Sequence, residues 1–142
     1  MAGPFEISIR QFAERSKERV DVVHRRVVLE IASRIIVRSP VKSGRFRGNW
    51  RVADQVVSNG PIDREDPSGE ATMADIMRAL DAGKFTRRWV IYNNLPYGPR
   101  LETGWSKQAP IGMVALTLLE FSPIVDGVAQ GLDSISVGGI GP

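Results

Sequence analysis

The stretch from Ile9 to Val37 limits the possible folds more than any other part of the chain. Phe12, Val20, Val23, Val27, Ile31 and Ile35 are spaced in three- and four-residue steps, with Val28 and Ala32 beside them. That spacing puts them on one face of a helix. Arg15, Lys17, Glu18, Arg25, Arg26 and Arg34 fall largely elsewhere. Ser8 with Gln11 three residues on is a capping-box pattern and predicts the start of the helix. Ser39-Pro40 predicts its end, because the residue before proline is pushed out of the α region. Such a helix is about 43 Å long, more than a small sheet can cover. Its C-terminal half is expected in the core. Its N-terminal half, around Phe12 and Ala13, is expected to need another subunit.

The rest of the chain reads as a small α+β domain. Val41 to Arg47 is a turn in which Gly44 can take positive φ. Asn49 to Val57 alternates Trp50, Val52 and Val56 with Arg51, Asp54 and Gln55, which predicts a strand. Ser58 to Glu70 reads as a surface loop that orders only against neighbours. Ala71 to Ala82 predicts a short helix stopped by Gly83. Arg88 to Asn93 predicts a second strand, apolar on both faces and therefore central or covered by a neighbour. Tyr97 to Thr103 predicts one helical turn. Met113 to Leu119 reads as a third strand, since Gly112 precedes it and Ser122-Pro123 reads as a new helix start. That last helix is expected from Pro123 to about Gln130, with Gly131 as its stop. The expected fold is therefore a long N-terminal helix packed on an antiparallel sheet of about three strands, with two or three shorter helices. Residues 1–131 form the domain, and 132–142 a loose tail.

The chain has no cysteine, which excludes disulfides, zinc–thiolate sites and cysteine nucleophiles. The formal charge of +3 is only mildly basic. No run of about eighteen apolar residues occurs, and the first ten residues do not read as a signal peptide. His24 is the only histidine, and Val27 and Val28 stand where i+3 and i+4 metal ligands would be. Ser39 and Ser43 flank a proline turn and have no positioned base, so turn chemistry explains them better than nucleophilic catalysis. Asp63, Glu65 and Asp66 lack the spacing of a calcium loop. Lys42-Ser43-Gly44 is not a phosphate-binding arrangement. No cofactor or metal is expected, and no enzymatic activity. Arg34, Arg38, Lys42, Arg45, Arg47 and Arg51 crowd together with Phe46 and Trp50 interleaved. They read either as a nucleic-acid surface or as cations meeting acids on another subunit.

Tyr92 to Met113 has the prolines and glycines of a loop, with Pro96, Gly98 and Pro99 close together. It also carries Tyr92, Leu95, Tyr97, Leu101 and Trp105, which must be buried in the chain's own core or against a partner. Its run Asn93-Asn94-Leu95-Pro96-Tyr97, followed by Leu101-Glu102-x-Gly104-x-Ser106-Lys107-Gln108-Ala109-Pro110-x-Gly112-Met113, resembles the head–tail joining or tail-completion (neck) proteins of long-tailed bacteriophages. A second block, Ser39-Pro40-Val41-Lys42-Ser43-Gly44-Arg45-Phe46-Arg47-Gly48-Asn49-Trp50, is similar to the same family's Pro-Val-x-Thr/Ser-Gly-Arg/Lys pattern with a Trp a few residues on. The chain departs from the family at Lys42, where an acid is commoner, and at Gly98, where alanine is.

The resemblance implies a structural virion protein of the neck, completing the tail end and joining head to tail as a ring around the DNA channel. It implies a homo-oligomer, with six copies favoured by analogy with tail symmetry and twelve as the alternative. Connector, stopper, terminator and tail-tube proteins would be its partners. The location would be the virion, after assembly in the host cytoplasm, with non-specific contact to DNA in the channel and none to a membrane. Tyr97, Arg100, Leu101, Trp105, Lys107 and Gln108 are the expected interface residues. Pro40, Gly44, Arg45, Arg47 and Trp50 make up the turn and basic segment. Two alternatives stand beside this. Trp105 and Tyr97 could instead plug the subunit's own core, and the chain could be a small basic DNA-binding protein.

Overall fold

A computed structural model describes residues 4–140, with the side chains of residue 11 and residues 15–131. The long helix α1 spans Pro4–Arg38, about 52 Å at the usual rise. It begins before the Ser8 cap expected from sequence. Proline suits a first helical position, where its missing N–H costs nothing. The side chains of Phe12 and Ala13, expected to need another subunit, lie outside the described residues. Then follow α2 (Arg45–Gly48), β1 (Trp50–Ala53), α3 (Glu70–Ala82), β2 (Val90–Asn93), α4 (Gly98–Glu102), α5 (Val114–Leu118) and α6 (Phe121–Ile140). The class is α+β, and no helix of the described residues is long and apolar enough to cross a membrane.

The sheet has two antiparallel strands, with Trp50 opposite Asn93 and Ala53 opposite Val90. Two expectations fail here and a third is narrowed. β1 stops at Ala53 rather than Val57, and Val56 stands in solvent. β2 has one strand partner among the described residues and so is not central, which leaves the other expectation for it, a face covered by a neighbour; it is half-buried along its length. The expected third strand over Met113–Leu119 is the helix α5. Helix α6 also starts earlier than expected, with Pro123 in its first turn, and it passes Gly131 without stopping. An interior glycine costs a helix roughly 1 kcal/mol, and the packing of α6 along α1 offsets that cost.

The core gathers Ala32, Ile35 and Ile36 of α1, Phe46 of α2, Trp50 and Val52 of β1, Ile76 and Leu80 of α3, and Leu95, Ala109 and Met113 of the long loops. Each large apolar side chain buried there contributes about 1.5–3 kcal/mol. Charged ties sit at its margins. Glu120, just before α6, meets Arg34 at 3.1 Å and Arg38 at 2.5 Å on α1. These two cations hold its carboxyl below the ordinary range, Arg38 first. Asp21 of α1 is buried and accepts a hydrogen bond from the Phe85 N–H at 2.7 Å, which fixes the loop after α3.

Candidate assembly surface

The segment after α1 is built to end a helix and turn the chain sharply. The Trp50 indole donates to the Ser39 hydroxyl at 2.8 Å, and that hydroxyl donates to the Ile35 carbonyl at 2.8 Å. Arg47 donates to the carbonyls of Val37, Ser39 and Pro67 at 3.1, 2.9 and 2.7 Å. A cation on the last carbonyls of a helix also complements its dipole. Gly44 sits at φ 91°, and a Cβ there would lie 2.4 Å from the Pro67 nitrogen. Only glycine fits.

Asn49, 0% exposed, does the work of a missing strand. Its side-chain oxygen accepts from the Ile62 N–H at 2.8 Å, and its amide donates to the Ile62 carbonyl at 3.1 Å and to the Arg45 carbonyl at 2.8 Å. A side-chain amide thus replaces a backbone partner for the loop from Asp54 to Gly69. Arg64 donates to the Gly48 carbonyl at 2.7 Å and pairs with Asp75, which also pairs with Arg78. Asp66 accepts from the Thr72 N–H at 2.8 Å and from its hydroxyl at 2.6 Å. Burial opposes ionisation of Asp66, but these donors and Arg64 outweigh it and hold the carboxyl below the usual range. Asn94 and Arg51 donate to the Gly60 carbonyl at 3.0 and 2.6 Å. The chain's own side chains therefore order this loop, contrary to the expectation that it needs neighbours.

The block from Asn93 to Met113 lies against that turn. The Asn93 amide donates to the Phe46 carbonyl at 2.9 Å. Phe46 meets Trp50 edge-on at 5.7 Å and Tyr97 at 6.1 Å between ring centres. Gln108 repeats the device of Asn49: its side-chain oxygen accepts from the Val41 N–H at 2.8 Å, and its amide donates to the Val41 carbonyl at 3.0 Å. Between the two blocks lies an open cleft of about 440 Å³, with Phe46, Tyr97 and Leu101 in its lining.

One carboxylate holds the loop between α4 and α5. Glu102 accepts from the backbone N–H groups of Met113, Val114 and Ala115, each at 2.9 Å. These are donors that a helix start leaves unpaired. Burial works against the charged form, yet the three donors prevail and hold the Glu102 carboxyl below the usual glutamate range. Gly112, at φ 85°, brings its backbone so close that a Cβ would lie 2.3 Å from the Glu102 carbonyl. On this braced loop Trp105 is 72% exposed, with the Arg100 guanidinium 4.8 Å from its ring centre.

The expected residues therefore divide. Trp105, Arg100, Lys107, Gln108 and Tyr97 are exposed, Tyr97 at 39%, and Leu101 is half-buried at the cleft. Trp105 does not plug the core. Pro40, Gly44 and Trp50 are buried, and Arg47 is engaged on carbonyls, so these four are structural. The basic segment does not present one face. Arg34 and Arg38 meet Glu120, Arg51 stacks on Tyr92 at 4.9 Å, and only Lys42 and Arg45 remain exposed without a side-chain partner among the described residues. Sequence reasoning missed Asn49 and Glu102 as supports. Both lie inside the two blocks that carry the resemblance, but the backbone groups they hold, at Ile62 for Asn49 and at Met113 to Ala115 for Glu102, stand 11 to 13 residues away.

Among the described residues no three His, Asp or Glu side chains gather as a metal site needs. The Ser39 hydroxyl is already engaged by the Trp50 indole and the Ile35 carbonyl, and among the described residues no base hydrogen-bonds it. Polar groups here hold loops in place, and the exposed side chains include the aromatic Tyr97 and Trp105 and the cations Arg100 and Lys107. Comparison with protein-family models, with curated proteins and with solved structures finds no match to this chain.

Proposed function

We propose that this chain is a structural subunit of the neck of a long-tailed phage, which completes the tail end and joins head to tail as a ring around the DNA channel. The observation that carries the reading is Trp105. A large aromatic stands 72% exposed on a loop fixed by three hydrogen bonds to one carboxylate. Tryptophan and arginine are the commonest anchors of protein interfaces, and a fixed loop loses little freedom on binding. The two blocks that resemble neck proteins also lie against each other, joined by Gln108 and Val41. Arg100, Trp105 and Lys107 face a partner ring of connector, stopper, terminator or tail-tube type. Six copies match tail symmetry, with twelve as the alternative, and the chain acts by assembly rather than catalysis.

The test is the mass of the purified protein by light scattering, alone and after mixing with tails or filled heads of the same phage. Stoichiometric uptake onto tails or heads, lost in Trp105→Ala, is the expected result. Uptake by neither, together with tight salt-dependent binding to duplex DNA, would replace the neck reading with that of a small basic DNA-binding protein.

A further inference from the structure

We infer that copies of this chain join head to tail, with the Asp54–Val57 segment of one copy seated in the cleft between Val41–Arg45 and Tyr97–Gln108 of the next. The cleft offers an apolar lining of Phe46, Tyr97 and Leu101 in about 440 Å³, within the roughly 300–1,000 Å³ of ordinary binding clefts. The Gln108–Val41 pairing links its two sides. Lys42 and Arg45 stand exposed beside it and meet no acid among the described residues. The cleft therefore calls for a short segment that is apolar and carries negative charge.

The chain itself displays such a segment. Asp54, Gln55, Val56 and Val57 follow β1 and are all exposed, with Val56 at 84%. Asp54 has no cation partner among the described residues. Val56 is out of place in a chain that otherwise ties down this loop with side-chain hydrogen bonds. A β-branched residue in solvent next to a lone carboxylate is the chemical complement of the cleft.

The two patches cannot meet within one copy. Arg45 and Phe46 precede the first residue of β1, and Asp54 follows the last. The strand between them spans about 13 Å and is held straight by its ladder to β2. Two unlike, complementary patches at opposite ends of one strand make a heterologous contact, which closes into a ring or runs on as a filament. The inference deepens the neck reading and rests on it for ring closure, but not for the contact itself.

The absence of cysteine makes the test clean. Ser43→Cys and Val56→Cys are combined in the full-length chain, concentrated, mildly oxidised and run on a non-reducing gel. Both positions are exposed, and circular dichroism checks that the fold is kept. The expected result is a covalent ladder extending past the dimer, with each single variant stopping at the dimer. Adding Lys42→Glu and Arg45→Glu should lower ladder yield by about tenfold or more, since like charges would then face each other. Adding Asp54→Lys to that background should restore it. No ladder, or a ladder indifferent to these charges, overturns the contact. The same double variant mixed with tails separates the two claims. Rings on tails without the Ser43–Val56 cross-link overturn this contact and leave the neck reading standing. A charge-dependent ladder without tail or head binding upholds the contact and removes the neck reading.

Discussion

Replacing Glu102 tests whether the loop that carries Trp105 is held as the geometry indicates. Its carboxylate accepts three backbone N–H groups at 2.9 Å, and one of the three residues, Met113, is a buried core side chain. A hydrogen bond to a charged group contributes about 1.5–3 kcal/mol, and loss of a helix cap costs about 0.5–2 kcal/mol. The three bonds share one carboxylate and do not add fully, so Glu102→Ala should cost about 2–4 kcal/mol. For a chain of this size that lowers Tm by roughly 8–16 °C. Glu102→Gln keeps one acceptor oxygen and should cost about half as much. The pH dependence has a definite sign. The folded-state pKa lies below the unfolded value, so the stabilisation is complete above the unfolded pKa and lost as pH falls through the folded one. The gap in Tm between the natural protein and Glu102→Gln should therefore be widest near neutrality and close in acid. Thermal unfolding followed by circular dichroism from neutral pH downward reads both effects. A Glu102→Ala protein melting within about 2 °C of the natural one at neutral pH, or a gap that does not narrow in acid, would refute the cap.

Trp105→Ala should leave Tm within about 2–3 °C, because the ring is exposed and its contact with Arg100 is worth only about 0.5–1 kcal/mol; a larger drop would return the residue to the core. Gly44→Ala should destabilise by about 3 kcal/mol or more in chemical denaturation, since it meets both positive φ and the Pro67 nitrogen; a neutral result would mean the turn is not as described. Asn49→Ala leaves the Ile62 N–H and two carbonyls without their partner, so it should cost about 3 kcal/mol. It should also speed hydrogen exchange at Ile62 before the rest of the fold, and unchanged exchange there would show that the loop is held by other contacts.

What the sequence made legible was whatever depended on local pattern. The apolar period of α1, the alternation at Trp50 and Val52, and the helix formers of α3 all point to the elements observed. The misread elements are those whose cause is remote in the chain. Met113–Leu119 has the apolar density of a strand, and what makes it a helix start is Glu102, bonded to the backbone up to thirteen residues on. Val56 belongs to the apolar set by alternation, but the ladder has no partner for it beyond Val90. The candidate surface was half legible. Exposed Trp105 and Arg100 follow from an aromatic-bearing loop, whereas the structural service of Arg47, Gly44 and Trp50 depends on carbonyls and a proline that only the fold brings near. The crowding of cations in sequence overstated their crowding in space, because Arg34 and Arg38 point to Glu120 while Arg51 lies on Tyr92.

The two side-chain amides that stand in for strand partners also order events in time. Asn49 joins Ile62 across a separation of 13 residues, whereas Gln108 joins Val41 across 67. The entropy lost in closing a loop grows with the logarithm of its length, so in an otherwise open chain the second closure costs about 1.5 kcal/mol more than the first. The turn braced by Asn49 can thus condense early, and the cleft joined by Gln108 is completed late. A nascent subunit would carry its scaffold before its contact surface, which delays self-association until the chain has finished folding.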